Sequence, residues 1–360
     1  MMTICKDESC VTHSRRSFLG GAAALGGAAL GMTALIEKDA AAQTASPRID
    51  THHHILPPEF VRVVGTAAVG NPAPNGVAPT WSPTDSINLM NANQINKAYT
   101  SVVTTPVVQY LDDAKSIYLA RVINTYAAQM KHDYPGRFGA LVTLPLPNVA
   151  ASLNELNYAF DTLHAEGVSL MTSYADILLG DPQFSQVFDA LNARHATVFV
   201  HPTSCTCSKN VNPGVRASTI EFPIETTRTV ISLMYNGVFT RCPNIKFIFS
   251  HAGGTLPFLA NRINFLGSVD TDFKTRVPQG ALAVLQSLYY DTALSTNPIS
   301  FPALLKIVPA QRILYGTDFP FAGAAGVPPA IGFLGSPASG LSAQDFADVM
   351  GNNAVRLLGA

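Results

Sequence analysis

The chain has 360 residues, 47% of them hydrophobic and only 13% charged, with a formal net charge of -1. An average globular protein carries roughly 25% charged residues, so this composition excludes a disordered or fibrous chain and allows a large buried core. Its 23 basic and 24 acidic residues form no basic block beyond the N-terminus, which excludes nucleic acid as a partner, because phosphate binding needs clustered Lys and Arg.

The first segment differs from the rest. "SRRSFLGGAAALGGAALGMTALI" sets Arg15 and Arg16 before an apolar Gly/Ala-rich run, the pattern of a twin-arginine export signal. The run is too glycine-rich and too weakly hydrophobic for a membrane anchor. With a small-residue cleavage site at Ala40–Ala42, residues 1–42 read as the signal and 43–360 as one mature domain. The expected location is periplasmic or secreted, and this export route carries folded proteins with their metal already bound. No later stretch has the roughly twenty unbroken apolar residues of a spanning helix, so no stable anchor is expected after cleavage. Cys205, Cys207 and Cys242 would remain, an odd count that is no disulfide framework. Cys205-Thr206-Cys207 reads as a loop thiol pair, with a metal site or a strained disulfide as alternatives.

Beyond the signal, short β-branched runs alternate with amphipathic stretches. Strands are predicted at Arg48–His52, Lys97–Thr104, Phe138–Leu144, Val168–Thr172, Thr197–His201, Lys246–Ser250, Leu288–Asp291 and Ile313–Gly316. Helical patterns include Asp113–Lys131, Ala150–Ala165, Pro182–Arg194 and Ile224–Asn236. Eight βα units predict an α/β fold closed into a (β/α)8 TIM barrel. An open doubly wound sheet is the alternative, but no glycine-rich phosphate fingerprint follows the first strand. The Gly/Pro-rich stretch Gly65–Pro83 is expected to be a long loop over the barrel mouth.

Catalytic residues of such barrels sit at the C-terminal strand ends. "RIDTHHHILPPEF" puts His52 and His54 at the end of the first strand, "VFVHPT" puts His201 at the fifth, "FIFSHAGG" His251 at the sixth and "LYGTDFP" Asp318 at the eighth. Side chains alternate along a strand, so His52 and His54 share the inward face and His53 points away in a structural role. Three imidazoles (His52, His54, His201) and the Asp318 carboxylate make a metal site that suits one divalent ion, zinc first, with manganese or iron as alternatives. His251 is left as the general acid/base. His132, His164 and His195 fall in or beside helices and read as surface residues.

HxH, HP, SHAGG and GTDFP in this order resemble the amidohydrolase superfamily, and within it the amidohydrolase-related decarboxylases that act on amino-carboxymuconate semialdehyde, γ-resorcylate or 6-methylsalicylate. The likeness runs from Arg48 to the closing "GNNAVRLLG". It implies the same metal ligands, with His251 and Asp318 as the catalytic pair. It also implies that Arg262 reaches a neighbouring subunit's site to hold a substrate carboxylate, hence a homodimer. No lysine occurs in Gly167–Tyr174, so the bridged two-metal site of some relatives is not expected. In "WSPTDSINLM", Ser86 and Asn88 occupy the region where the semialdehyde decarboxylase carries a substrate arginine, which points to a monocarboxylated substrate. The implied reaction on this small-molecule substrate is non-oxidative decarboxylation of a hydroxyaromatic acid, with Phe319 and Phe321 walling the ring. Hydrolysis of a lactone, ester or amide at the same metal is the alternative.

Overall fold

The computed structural model describes residues 46–69, 79–103, 111–211 and 213–359. The expected export signal at 1–42 lies outside them, as do residues 70–78 of the expected mouth loop and Thr104 at the end of the second predicted strand. One compact unit spans Ser46–Ala360. No helix among the described residues is long and apolar enough to cross a membrane.

Eight strands follow one another in chain order around a single sheet. They are β1 (Ile49–His54), β2 (Lys97–Ser101), β3 (Phe138–Thr143), β4 (Gly167–Met171), β5 (Thr197–His201), β6 (Lys246–Phe249), β7 (Tyr289–Asp291) and β8 (Ile313–Leu314). All neighbouring pairs are parallel. The sheet closes on itself because the chain after β8 runs beside β1: Thr51 N donates to Tyr315 O at 2.9 Å and His54 N to Phe319 O at 2.7 Å. This is a (β/α)8 barrel, as the alternation of elements predicts. β8 stops two residues short of expectation, since Tyr315 N turns to donate to Val349 O instead.

The barrel interior is filled by one residue from most strands, namely Ile49, Tyr99, Leu141, Phe199, Ile248 and Leu314. The final helix adds Ala354 and Leu357 to this plug. Each large side chain so buried contributes roughly 1.5–3 kcal/mol. A second, larger apolar layer joins the outer face of the sheet to the helices. Helix α1 is Pro83–Ala92 and α2 is Asp113–Asp133. The latter is capped by Asp112, which accepts from Lys115 N, and buries Leu119, Ile123, Ala127 and Met130 along one stripe, the spacing of an amphipathic helix. α3 (Val149–Asp161), α4 (Ser185–Ala193), α5 (Ala217–Tyr235), α6 (Leu256–Val269) and α7 (Asn353–Leu358) follow.

Two local departures shape the site. α5 begins seven residues before the predicted Ile224 and carries Pro223 in its interior. The carbonyl of Pro223 accepts from Thr227 Oγ1 at 2.9 Å, and a Cβ at Gly254 would collide with that carbonyl. The SHAGG turn therefore presses directly on α5. The second departure is in β1, where Asp50 pairs with Ala98 but His53 with Thr100. Three steps on one strand match two on the other, so β1 holds a bulge of one residue.

Candidate metal centre

That bulge decides where the histidines point. Ile49 faces the barrel interior, and simple alternation from it would send His53 inward. The extra residue reverses the parity. The His52 ring lies 5.0 Å from Phe199 and 5.2 Å from His201, and the His54 ring lies 5.0 Å from His201. His53 points outward, where its Nδ1 bonds to Asp50 Oδ2 at 2.9 Å and its Nε2 to Ser86 Oγ at 2.7 Å. The pairing of His52 with His54 and the structural role of His53 are as the sequence predicts, although the regular strand assumed for them is not.

Four ligating atoms, one each from His52, His54, His201 and Asp318, lie within 4.8 Å of one another, and all four residues are buried. The outer nitrogen of each ring is already committed. His52 Nδ1 bonds to Asp291 Oδ2 at 2.8 Å, His54 Nδ1 to Ser101 Oγ at 3.1 Å and His201 Nδ1 to Pro202 O at 2.9 Å. A carbonyl or carboxylate can only accept, so the Nδ1 of His52 and of His201 carries a proton and each Nε2 is the nitrogen turned towards a metal. His52 Nε2 stands 3.0 Å from His54 Nε2, and Asp318 Oδ1 stands 3.0 Å from His54 Nε2 and 3.4 Å from His52 Nε2.

The electrostatics describe the same centre. Burial pushes His54 down to about 4 and holds His201 well below the ordinary imidazole value, with the neighbouring histidines adding to the effect. Burial would lower His52 as well, but Asp291 and Asp318 raise it to about 10. Burial opposes ionisation of Asp318, yet His52 and the other imidazoles hold its carboxyl well below the usual range. Without a metal, a second proton on His52 balances the ionised carboxylate; a divalent cation suits three nitrogens and one oxygen and would displace that proton on binding.

His251 sits beside this set, with Nε2 3.6 Å from Asp318 Oδ2. Its Nδ1 is buried without a hydrogen-bond partner. Its backbone N–H donates to Asp291 Oδ1 at 2.9 Å. His251, Ala252 and Asp318 have φ of 54°, 56° and 57°, left-handed values that cost about 1 kcal/mol each. Asp318 N donates to His52 O at 2.8 Å, which fixes its turn. A Cβ at Gly316 would stand 2.7 Å from that of His52, so only glycine lets the chain pass here.

A cavity of about 490 Å³ opens over His201, His251 and Asp318. Val103, Phe222, Phe258, Leu294 and Phe321 supply its apolar wall, Arg216 its cation, and Ser218 and Thr219 its hydroxyls. Phe321 lines the cavity, 5.5 Å from the His54 ring. Phe319, expected as its partner, does not: it packs on the outward-facing His53 at 5.3 Å as part of the outer core. Nor does the α1 stretch reach the cavity. Ser86 is buried beneath His53, where it also accepts from Trp81 Nε1 at 2.9 Å, and Asn88 is exposed. Arg262 is exposed on α6 and is not part of the cavity of its own chain. His132, His164 and His195 are exposed, as expected.

Two carboxylates escape the sequence reading. Asp291 ends β7 at the same rim as the other ligands, so the strand-end test already points to it. Asp50 has no such signal. It accepts from Thr317 N at 3.0 Å, Thr317 Oγ1 at 2.6 Å and His52 N at 3.1 Å, tying β1 to the turn that carries Asp318.

Residues 49–360 match the family model described as "Amidohydrolase". Among curated proteins, decarboxylase yanB of Aspergillus niger is 37% identical over 289 residues, covering 76% of this chain and 77% of the relative. The 6-methylsalicylic acid decarboxylase of Penicillium expansum is 31% identical over 276 residues, covering 76% and 85%. Among solved structures, a 5-carboxyvanillate decarboxylase from Novosphingobium aromaticivorans with bound manganese superposes with a TM-score of 0.74 at 20% identity, over 88% of this chain and 98% of that one.

Proposed function

The chain belongs to the amidohydrolase family, and we propose that it is a metal-dependent carboxy-lyase that decarboxylates a hydroxyaromatic acid of the salicylate type without oxidation. The observation that carries this reading is the cavity of about 490 Å³, which meets the buried three-imidazole, one-carboxylate cluster through His201 and Asp318 and is otherwise largely aromatic and aliphatic. That volume suits a single substituted ring. Similarity to decarboxylases supports the choice over a hydrolase.

His52, His54, His201 and Asp318 would hold one divalent ion. When bound, it supplies Lewis-acid charge to the substrate carboxylate and adjacent hydroxyl, a contribution of several kcal/mol. His251 and Asp318 move the proton: the imidazole is steadied by Asp318 Oδ2 at 3.6 Å and delivers a proton to the ring carbon that bears the carboxylate. Carbon dioxide then leaves as aromaticity returns. Phe222 and Phe321 enclose the ring, and Arg216 and Thr219 meet its polar substituents. Zinc is our first assignment from the nitrogen-rich donor set; the manganese of the 5-carboxyvanillate decarboxylase makes manganese the alternative to load beside it.

We extend the proposal to assembly and location. α6 exposes Phe258 (63%), Phe265 (66%) and Val269 (65%) on the stripe that also carries Arg262, a face suited to a second copy of this chain. Arg262 would then serve the neighbouring cavity, and light scattering should report a dimer that R262A leaves assembled but with a raised KM. Residues 1–42 would direct export, so replacing Arg15 and Arg16 by lysine should retain the chain in the cytoplasm.

The deciding assay supplies the metal-loaded chain with salicylate-type acids and, in parallel, with lactones. Release of carbon dioxide is the expected result. Lactone hydrolysis without carbon dioxide from any hydroxybenzoate would overturn the assignment.

A further inference from the structure

We propose that Cys205 and Cys207 form a reversible dithiol–disulfide site, oxidised by a small disulfide such as glutathione disulfide. Their Sγ atoms stand 2.7 Å apart, already close to the ~2.05 Å of the covalent bond, and both are free thiols. The geometry is built rather than accidental. Thr206, between them, is anchored through N at 2.7 Å and through Oγ1 to the Asp176 carboxylate. Cys205 O accepts from Ser208 Oγ at 2.8 Å. With the middle residue fixed from behind, both sulfurs turn to the same side of the loop.

A metal role for the pair is disfavoured, since among the described residues only the His52 cluster brings three or more ligating groups together. The two thiols are not equivalent. Cys207 is exposed, whereas Cys205 is partly buried and is pushed up to about 11 by burial and by Cys207. Glu225 nearby is fully buried; its Oε1 accepts from Arg228, while its Oε2 has no hydrogen-bond partner. Its charge is felt at Cys205, and burial raises its own affinity for a proton.

The chemistry follows from that asymmetry. The exposed Cys207 thiolate attacks one sulfur of the oxidant, breaking its S–S bond and releasing one thiol. Cys205 passes its proton to Glu225 and attacks Cys207 Sγ, releasing the second thiol. Two protein thiols are oxidised to one disulfide, and one small disulfide is reduced to two thiols. The site falls between metal-cluster His201 and cavity-lining Arg216, so oxidation stiffens the segment that joins them.

The test treats the full chain with glutathione disulfide, alkylates the remaining thiols and digests with trypsin. The peptide His195–Lys209 carries both cysteines and no other. It should appear unalkylated, two hydrogens lighter than the dithiol form and reversible by dithiothreitol, while Cys242 stays free. Cys205→Ser should instead retain glutathione on Cys207. Alkylation at both cysteines after oxidation, or a stable glutathione adduct in the unaltered chain, would overturn the proposal. A Cys205→Ser chain that takes up no glutathione would overturn the assignment of Cys207 as attacker.

Discussion

Replacing Asp291 by Asn should disable the metal centre without touching a ligand. Asp291 Oδ2 accepts from His52 Nδ1 at 2.8 Å, while Oδ1 accepts from the backbone N–H of His251 and of Ala293, each at 2.9 Å. An asparagine amide cannot satisfy all three. If its oxygen keeps the two backbone bonds, its NH2 faces Nδ1 and drives His52 into the tautomer with hydrogen on Nε2, which removes the lone pair a metal needs. If the amide turns over, His52 is served and two buried N–H groups are orphaned. Either outcome costs about 1–3 kcal/mol, which agrees with the ~10- to 100-fold loss of metal affinity found when an outer partner of a ligating histidine is removed. Chelator competition on the metal-loaded chain measures the affinity, and circular dichroism checks that the barrel persists. Unchanged metal affinity in D291N would refute the claim that Asp291 sets the His52 tautomer.

Other outcomes follow from the same geometry. His251→Ala should keep its metal while kcat falls by ~10²- to 10⁴-fold, whereas His201→Ala should lose both metal and activity; equal metal loss in the two would show that His251 is a ligand. Phe319→Ala should cost about 3–5 kcal/mol of stability in a denaturant melt, and Phe321→Ala should chiefly raise KM. The metal-free chain should lose stability in acid. His54 is held down to about 4 from an unfolded value near 6.5, so its contribution is complete above that value and is lost as pH falls through about 4. Asp318, held low as well, adds loss in the same direction at still lower pH. His52, raised to about 10, gives its full contribution below its unfolded value near 6.5 and adds no slope in that window. Melting temperatures of metal-free protein across the acid range check this, and a flat profile would refute it.

The site was legible where its residues sit at the ends of regular strands. β5, Thr197–His201, was predicted to the residue, and its inward Phe199 and His201 obey simple alternation. The eighth-strand motif gave Asp318, although the strand itself ends at Leu314 and a hydrogen bond to His52 O places the carboxylate. Legibility failed where contacts between distant segments overrule local pattern. Proline normally ends a helix, which hid the first turns of α5. Two aromatics just after an aspartate look equivalent in sequence, but the turn at Asp318 sends Phe319 behind β1 and Phe321 into the cavity. Asp50 lies near the start of β1, away from the rim where the strand-end test looks, and its task is visible only once Thr317 is beside it.

The bulge in β1 bears on how such a site can be moved or copied. One strand here serves two masters, an apolar plug below through Ile49 and a metal cluster above through His52 and His54, and these demands have opposite parity. The extra residue reconciles them. An HxH pair grafted into a regular strand of another barrel, matched to its plug residue, would face the helices instead of the cavity. The transferable unit is therefore the whole six-residue Ile49–His54 strand, together with the Asp50 carboxylate that holds its kink against the neighbouring turn.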